Sequence, residues 1–220
     1  MLIRLLRNRW GLIALLLAGG WQLGSGGWIW AKAWLAQQLL DHSWTSMRYD
    51  PNAQPIKPWP WADTHARGRL QIPSLQVDQI VLDGDSGRTL AFGPGLSHAG
   101  RDIGEPGVTL ISGHRDTHFD FMPQLRESMV IRLQSRTGER RYRVSERRVV
   151  DSRDGGISLD PDQDGLLLVT CYPFENWQPG GPLRFLVWAE PVDSDQVSGE
   201  ADGSMLPVIG RVKEAVRRVI

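Results

Sequence analysis

Residues 166–171 read Leu166-Leu167-Leu168-Val169-Thr170-Cys171, an apolar run that has the character of a core strand and ends at the chain's one cysteine. Two further runs have the same design. Val108-Thr109-Leu110-Ile111-Ser112 runs straight into Gly113-His114, and Leu183 to Ala189 carries Arg184 near its start. Around these lie shorter strand signals. Leu70, Ile72, Leu75 and Val77 alternate with polar partners, and Pro73 marks a bend or an edge. Ile80-Val81-Leu82 ends at the turn Asp83-Gly84-Asp85-Ser86-Gly87, and Arg88 to Phe92 suits a short helix before Gly93-Pro94-Gly95. Met129 to Leu133, Arg141 to Ser145 and Glu146 to Val150 supply more strands around a Thr137-Gly138 turn. Many short strands with Gly/Pro punctuation predict a mainly all-β fold, a closed or nearly closed barrel over residues 68–190. Nothing reads as alternating βαβ units.

The chain has 220 residues, with 25 Lys+Arg against 25 Asp+Glu, so bulk charge offers no argument for a nucleic-acid or membrane-surface protein. Hydrophobic residues at 41% and charged residues at 23% fit a globular chain and exclude wholesale disorder. A single cysteine excludes an internal disulfide and a cysteine-built zinc cage.

Upstream of the barrel, residues 10–31 contain no ionisable side chain. As a helix they would span about 33 Å, enough for a hydrocarbon core of roughly 30 Å. Arg4, Arg7 and Arg9 precede them, which keeps the basic N-terminus (1–9) cytoplasmic and exports the rest. Trp10 at one end and Trp28, Trp30 and Trp34 at the other suit two lipid–water interfaces. The competing reading is a cleaved signal peptide. The densest apolar run, Leu12 to Ala18, is short, and Ala18-Gly19-Gly20 or Ala31-Lys32-Ala33 could be cleaved. The retained anchor is favoured because apolar character continues past the early site. It implies a single-pass protein of the inner (plasma) membrane with its barrel on the periplasmic, extracytoplasmic side. Residues 32–67 read as a linker, with Pro51, Pro55, Pro58 and Pro60 favouring extended chain. Residues 191–220 read as a polar segment and then an amphipathic helix (Met205, Ile209, Val212, Val216, Ile220). Its basic flank suits either a membrane surface or the barrel.

Three apolar strands thus each present one reactive residue near a terminus: His114, Cys171 and Arg184. An ordinary thiol, with a pKa of about 8.5, is mostly protonated at neutral pH, so a nucleophilic cysteine needs a cation beside it. A lone cysteine is otherwise a small core hydrophobe. The order and surroundings of the three resemble the sortase family of cysteine transpeptidases: Thr109-Leu110-Ile111-Ser112-Gly113-His114-Arg115, Leu168-Val169-Thr170-Cys171, then Arg184 thirteen positions on. Leu70-Gln71-Ile72-Pro73-Ser74-Leu75-Gln76-Val77-Asp78 resembles the family's first barrel strands. Leu167 stands where the family's Thr-Leu-x-Thr-Cys pattern has its first Thr. The segments Gly113-His114-Arg115-Asp116-Thr117-His118 and Cys171-Tyr172-Pro173-Phe174 are most like the proteobacterial sortases.

This resemblance implies an eight-stranded sortase barrel and transpeptidation on an exported protein with an LPXTG-like sorting signal. Cys171 would attack the Thr–Gly carbonyl, and His114 as imidazolium would supply charge and a proton to the departing amine. Arg184 would stabilise the oxyanion or position the substrate, and Thr170 would orient thiol or substrate through its hydroxyl. An amine acceptor would resolve the thioester. No cofactor is implied.

Other signals carry less. His114 and His118 flank a loop with no third ligand marked, which argues against zinc. His42, His65 and His98 read as solvent-facing, and Arg115 is a rival to Arg184 with a loop role favoured. Asp160-Pro161-Asp162-Gln163-Asp164-Gly165 begins like an EF-hand, but position twelve falls on Cys171, so an acidic turn is expected. The arginines of residues 132–148 interleave with Glu139, Tyr142, Val144 and Glu146 as a solvated strand face, and no nucleic-acid partner is expected. The alternatives are a non-catalytic exported β-barrel binding module with a structural cysteine, and a cysteine peptidase that hydrolyses the same thioester.

Overall fold

The computed structural model describes residues 9–49, 54–155, 159–160, 162–175 and 180–192. Eight strands form a closed barrel: β1 (Ala66–Ile72), β2 (Val77–Asp83), β3 (Gly95–Leu96), β4 (Val108–Ser112), β5 (Val130–Gln134), β6 (Glu139–Asp151), β7 (Gly165–Cys171) and β8 (Leu183–Pro191). Around the barrel they run β1-β2-β3-β4-β7-β8-β6-β5, and β5 closes onto β1. The central pairing is parallel, Val108↔Gly165 through Ser112↔Val169, and β7 then pairs antiparallel with β8.

Alternation along the strands builds two cores. Leu166 and Leu168 point inward with Ile111, Val187 and Ala189 into the barrel interior. Leu167 and Val169 point outward and join Val108, Leu110 and Leu186, with Val150, Leu159 and Trp188 packed over them. A strand covered on both faces reads as a continuous apolar run, which is why β7 is the plainest signal in the sequence.

The two strands expected at 141–145 and 146–150 are one 13-residue strand, β6. Its register against β8 slips between Val144 and Glu146, so Ser145 is the extra residue of a bulge that bends the strand without ending it. The short helix expected near Arg88 is present as α2 (Gly87–Leu90), with the Ser86 hydroxyl accepting from the Thr89 amide.

The N-terminal helix, α1 (Arg9–Tyr49), runs 41 residues, well past the expected anchor. Its outer part, read from sequence as linker, is helical because it presents a stripe at helical spacing. Leu40, Trp44 and Met47 pack with Ala66, Ile80 and Leu82 of the barrel in a third cluster. The Ser43 hydroxyl donates to the Ile56 carbonyl at 2.6 Å, and Arg69 of β1 reaches Asp41 at 3.1 Å. The inner part of α1 is exposed, and the helix is long and apolar enough to cross a membrane. The C-terminal amphipathic helix expected within 191–220 falls outside the described residues.

Candidate active site

The ends of β4, β7 and β8 carry the three residues singled out by sequence. In β7, Leu167 and Val169 face outward, so Cys171 does too, beyond the last outer apolar side chain; it is half-buried and its thiol is free. Its partner across the ladder is Arg184. Directly opposed residues of an antiparallel pair share a face with Cβ atoms about 4.5–5.5 Å apart, so the thiol and guanidinium project from the same side of the sheet. The Arg184 guanidinium donates through Nη1 to the carbonyls of Gly181 (2.7 Å) and Leu183 (2.9 Å). Those two bonds fold it back over the start of β8.

His114 follows β4 by two residues. The Gly113 amide donates to the Val169 carbonyl at 3.1 Å, which extends the parallel ladder one step past Ser112. The hydroxyl of Thr170, a residue 3% exposed, donates to the Gly113 carbonyl at 2.7 Å. His114 therefore emerges beside the end of β7, its backbone tied to the residue before the cysteine. Thr170 does this from the inward face of β7. Its hydroxyl is committed to the backbone of the histidine segment, so it differs from the sequence expectation of a hydroxyl turned to thiol or substrate.

A packing contact that the sequence reading missed fixes the loop after His114. The Phe119 ring lies flat on Gly113, where a Cβ would come within 2.6 Å of the ring. The amide of Phe119 also donates to the His114 carbonyl at 2.9 Å. The Gly-His-x-x-x-x-Phe spacing was the available signal. Gly113→Ala is expected to destabilise the protein by about 1–3 kcal/mol through overpacking. It should lower turnover further by tilting the loop that holds His114, measured as thermal unfolding alongside peptide turnover.

The loop sorts the rival residues. Arg115 has a side chain only 3% exposed and pairs with Asp116 of the same loop at 3.2 Å. His118 is half-buried; burial and then the nearby charge of His114 hold its imidazole below the usual range, against the opposing effect of a hydrogen bond the ring donates to the Ala91 backbone. His65 is half-buried too, not solvent-facing, and its imidazole is lowered first by burial. Among the described residues no group of three or more His, Cys, Asp or Glu is placed to hold a metal.

The acidic turn before β7 has a structural use. Both carboxylate oxygens of Asp164 grip Arg140, at 2.7 and 3.2 Å, and one also accepts from the Gly107 amide at 3.2 Å. The Arg140 hydrogen bond holds the Asp164 carboxyl below the usual range. A depressed folded value means the contribution is complete above the ordinary carboxylate range and is lost as pH falls through the depressed value. The side chains are 27% and 38% exposed, so screening keeps it below about 1 kcal/mol. Asp164→Asn is expected to flatten the acid limb of a plot of melting temperature against pH, lowering the neutral value only slightly.

Beyond Cys171, Tyr172, Phe174 and Phe185 form an aromatic cluster, with Tyr172 and Phe185 stacked at 6.3 Å and Phe174 edge-on to Phe185 at 5.3 Å. Phe174 and Phe185 pack against the barrel interior, so the cluster closes that end of the core beside the turn from β7 to β8.

Comparison with known proteins gives the same architecture. Sortase D of Bacillus subtilis (strain 168) is 30% identical over 128 residues, which is 58% of this chain and 64% of that protein, so under two thirds of its length is spanned. A Clostridium perfringens sortase D5 transpeptidase superposes with a TM-score of 0.56 at 16% identity, covering 72% of this chain and 99% of that one. Sortase A of Corynebacterium diphtheriae gives a TM-score of 0.53 at 21% identity, over 72% and 84% respectively. At those identities the superpositions speak for the fold. The sequence speaks for descent: the sortase domain model matches residues 70–192, from within β1 through the end of β8, and the chain belongs to the sortase family.

Proposed function

We propose that the protein is a membrane-anchored cysteine transpeptidase that cleaves an LPXTG-like sorting signal between Thr and Gly and transfers the acyl group to an amine. The observation that carries this reading is the pairing of Cys171 with Arg184 across β7 and β8, with His114 held beside it through Gly113. A half-buried free thiol at an outward strand end, with Arg184 opposite it in the ladder and His114 on the adjoining strand end, supports nucleophilic attack over packing.

Cys171 attacks as the thiolate and bonds to the Thr carbonyl carbon. The resulting oxyanion is met by the Arg184 guanidinium, which carries a permanent charge and several donors. When the tetrahedral intermediate collapses, the C–N bond breaks and the glycine amine leaves with a proton from His114. The thioester is then attacked by the acceptor amine, His114 takes a proton back, and the thiolate is released. Helix α1 crosses the inner (plasma) membrane once, with the arginine-flanked end in the cytoplasm and the barrel on the extracytoplasmic side.

Mass spectrometry of the intact protein mixed with an LPXTG-like peptide tests this. A thioester adduct localised to Cys171 and an amide product when an amine is supplied are expected. An adduct that only hydrolyses with amine present would make the protein a peptidase. No adduct, with a thiol inert to methanethiosulfonate, would make it a binding module.

A further inference from the structure

Where α1 passes out of its apolar stretch, a groove of about 580 Å³ lies between the helix and the segment entering the barrel, lined by Lys32, Leu35 and Leu39 and by Trp59, Trp61 and Phe92. That volume is within the about 300–1,000 Å³ range of sites for small organic ligands. Its floor is firm, because Trp59 packs edge-on to Phe92 at 4.9 Å above the helix–barrel cluster. Its rim is not: Trp61 is 80% exposed and Leu35 49%. Trp28, Trp30 and Trp34 stand exposed along the adjoining turns of α1. Contiguous apolar surface of this kind marks an interaction face.

Position and charge say what meets it. The headgroup layer outside the hydrocarbon core is about 5–7 Å thick, or about three to five residues of helix. With residues 10–31 in the core, Lys32 to Leu35 stand in that layer, and Leu39 lies about 12 Å beyond Ala31. The groove therefore starts at headgroup depth. The Lys32 ammonium sits 5.7 Å from the Trp28 ring centroid, an arrangement suited to the lipid interface. Across the groove, Arg88 is 84% exposed and pairs with Asp63 at 2.9 Å. The rim thus has two cations to one carboxylate.

We propose that this groove binds a phospholipid of the leaflet on the barrel side. The lipid phosphate faces Lys32 and Arg88, and the interfacial part of the lipid lies against Leu35, Trp61 and Phe92. The barrel then rests on the leaflet in a fixed orientation instead of standing free on its helix. The inference rests on the membrane-anchor reading above.

The test uses the full chain carrying Cys171→Ala, so that a nitroxide label goes only to an introduced cysteine, in vesicles of phosphatidylethanolamine with phosphatidylglycerol. Single cysteines replace Trp61 in the groove, Leu16 in the span, and Thr137, which is exposed near Met47, about 24 Å along the helix from Ala31. Labels at 16 and 61 are expected to collide preferentially with lipid-soluble oxygen, and the label at 137 with an aqueous nickel chelate. Adding Lys32→Glu and Arg88→Glu is expected to shift position 61 toward the chelate. If position 61 reads as aqueous while 16 reads as lipid, the groove proposal fails and the anchor stands. If position 16 is aqueous, the anchor reading fails and takes this proposal with it. If position 61 is shielded from both reagents, a protein segment covers the groove, and the lipid assignment is overturned.

Discussion

Replacing Cys171 with alanine is expected to abolish formation of the new amide, by at least about three orders of magnitude in turnover, with little change in melting temperature. On the proposed reading the sulfur forms the acyl intermediate, and among the described residues at the site no other thiol can take its place. The stability effect is expected to be small because Cys171 is only half-buried, at a strand end where little cavity is left behind. His114→Ala is expected to lose a comparable factor, and the double variant to be scarcely worse than either, since residues that act as one unit are non-additive. Cys171→Ser should be as inactive as the alanine variant while keeping the shape of the site. Turnover is measured by chromatography of peptide products with amine present, and stability by thermal unfolding of the same samples. Wild-type turnover in Cys171→Ala would leave β7 as a packing strand and the protein as a binding module.

What could be read from the sequence follows how each residue's environment leaves a trace in its neighbours. β7 was plain because both its faces are covered, by Leu166 and Leu168 on one side and Leu167 and Val169 on the other. The three proposed site residues stand out because each follows or begins an apolar run, and the strand pairing brings the ends of those runs to one end of the barrel. The single strand β6 read as two because the bulge at Ser145 flips the alternation halfway along, and alternation was the signal in use. β3, at two residues, has no period to detect; it exists because β2 and β4 lie on either side of it. The outer half of α1 was obscured by composition. Asp41, His42 and Arg48 made it look like linker, although Leu40, Trp44 and Met47 already stood at helical spacing. The role of Thr170 was closed to sequence reasoning for a different reason. Whether a hydroxyl turns to substrate or to a carbonyl 57 positions away depends on which strand ends up alongside, and that is a property of the whole barrel.

Arg184 provides the sharper test of mechanism, because a nucleophile can be present without its oxyanion partner. Arg184→Ala is expected to lower kcat/KM by about 10²–10³-fold, the usual cost of removing one oxyanion donor, with labelling of Cys171 by methanethiosulfonate retained. Arg184→Lys restores the charge and still falls at least about tenfold short, because an ammonium cannot bond the Gly181 and Leu183 carbonyls and also present planar donors to an oxyanion. That difference separates geometry from charge. If positive potential beside the thiol were the whole contribution, lysine would recover most of the activity. Rapid-quench measurement of the thioester distinguishes the two steps: a guanidinium that stabilises the tetrahedral oxyanion speeds both acylation and aminolysis, so both rates drop in the alanine variant. A variant slowed only in KM would instead place Arg184 among the groups that hold the sorting signal, and the oxyanion would then have to be met by backbone amides at the end of β7.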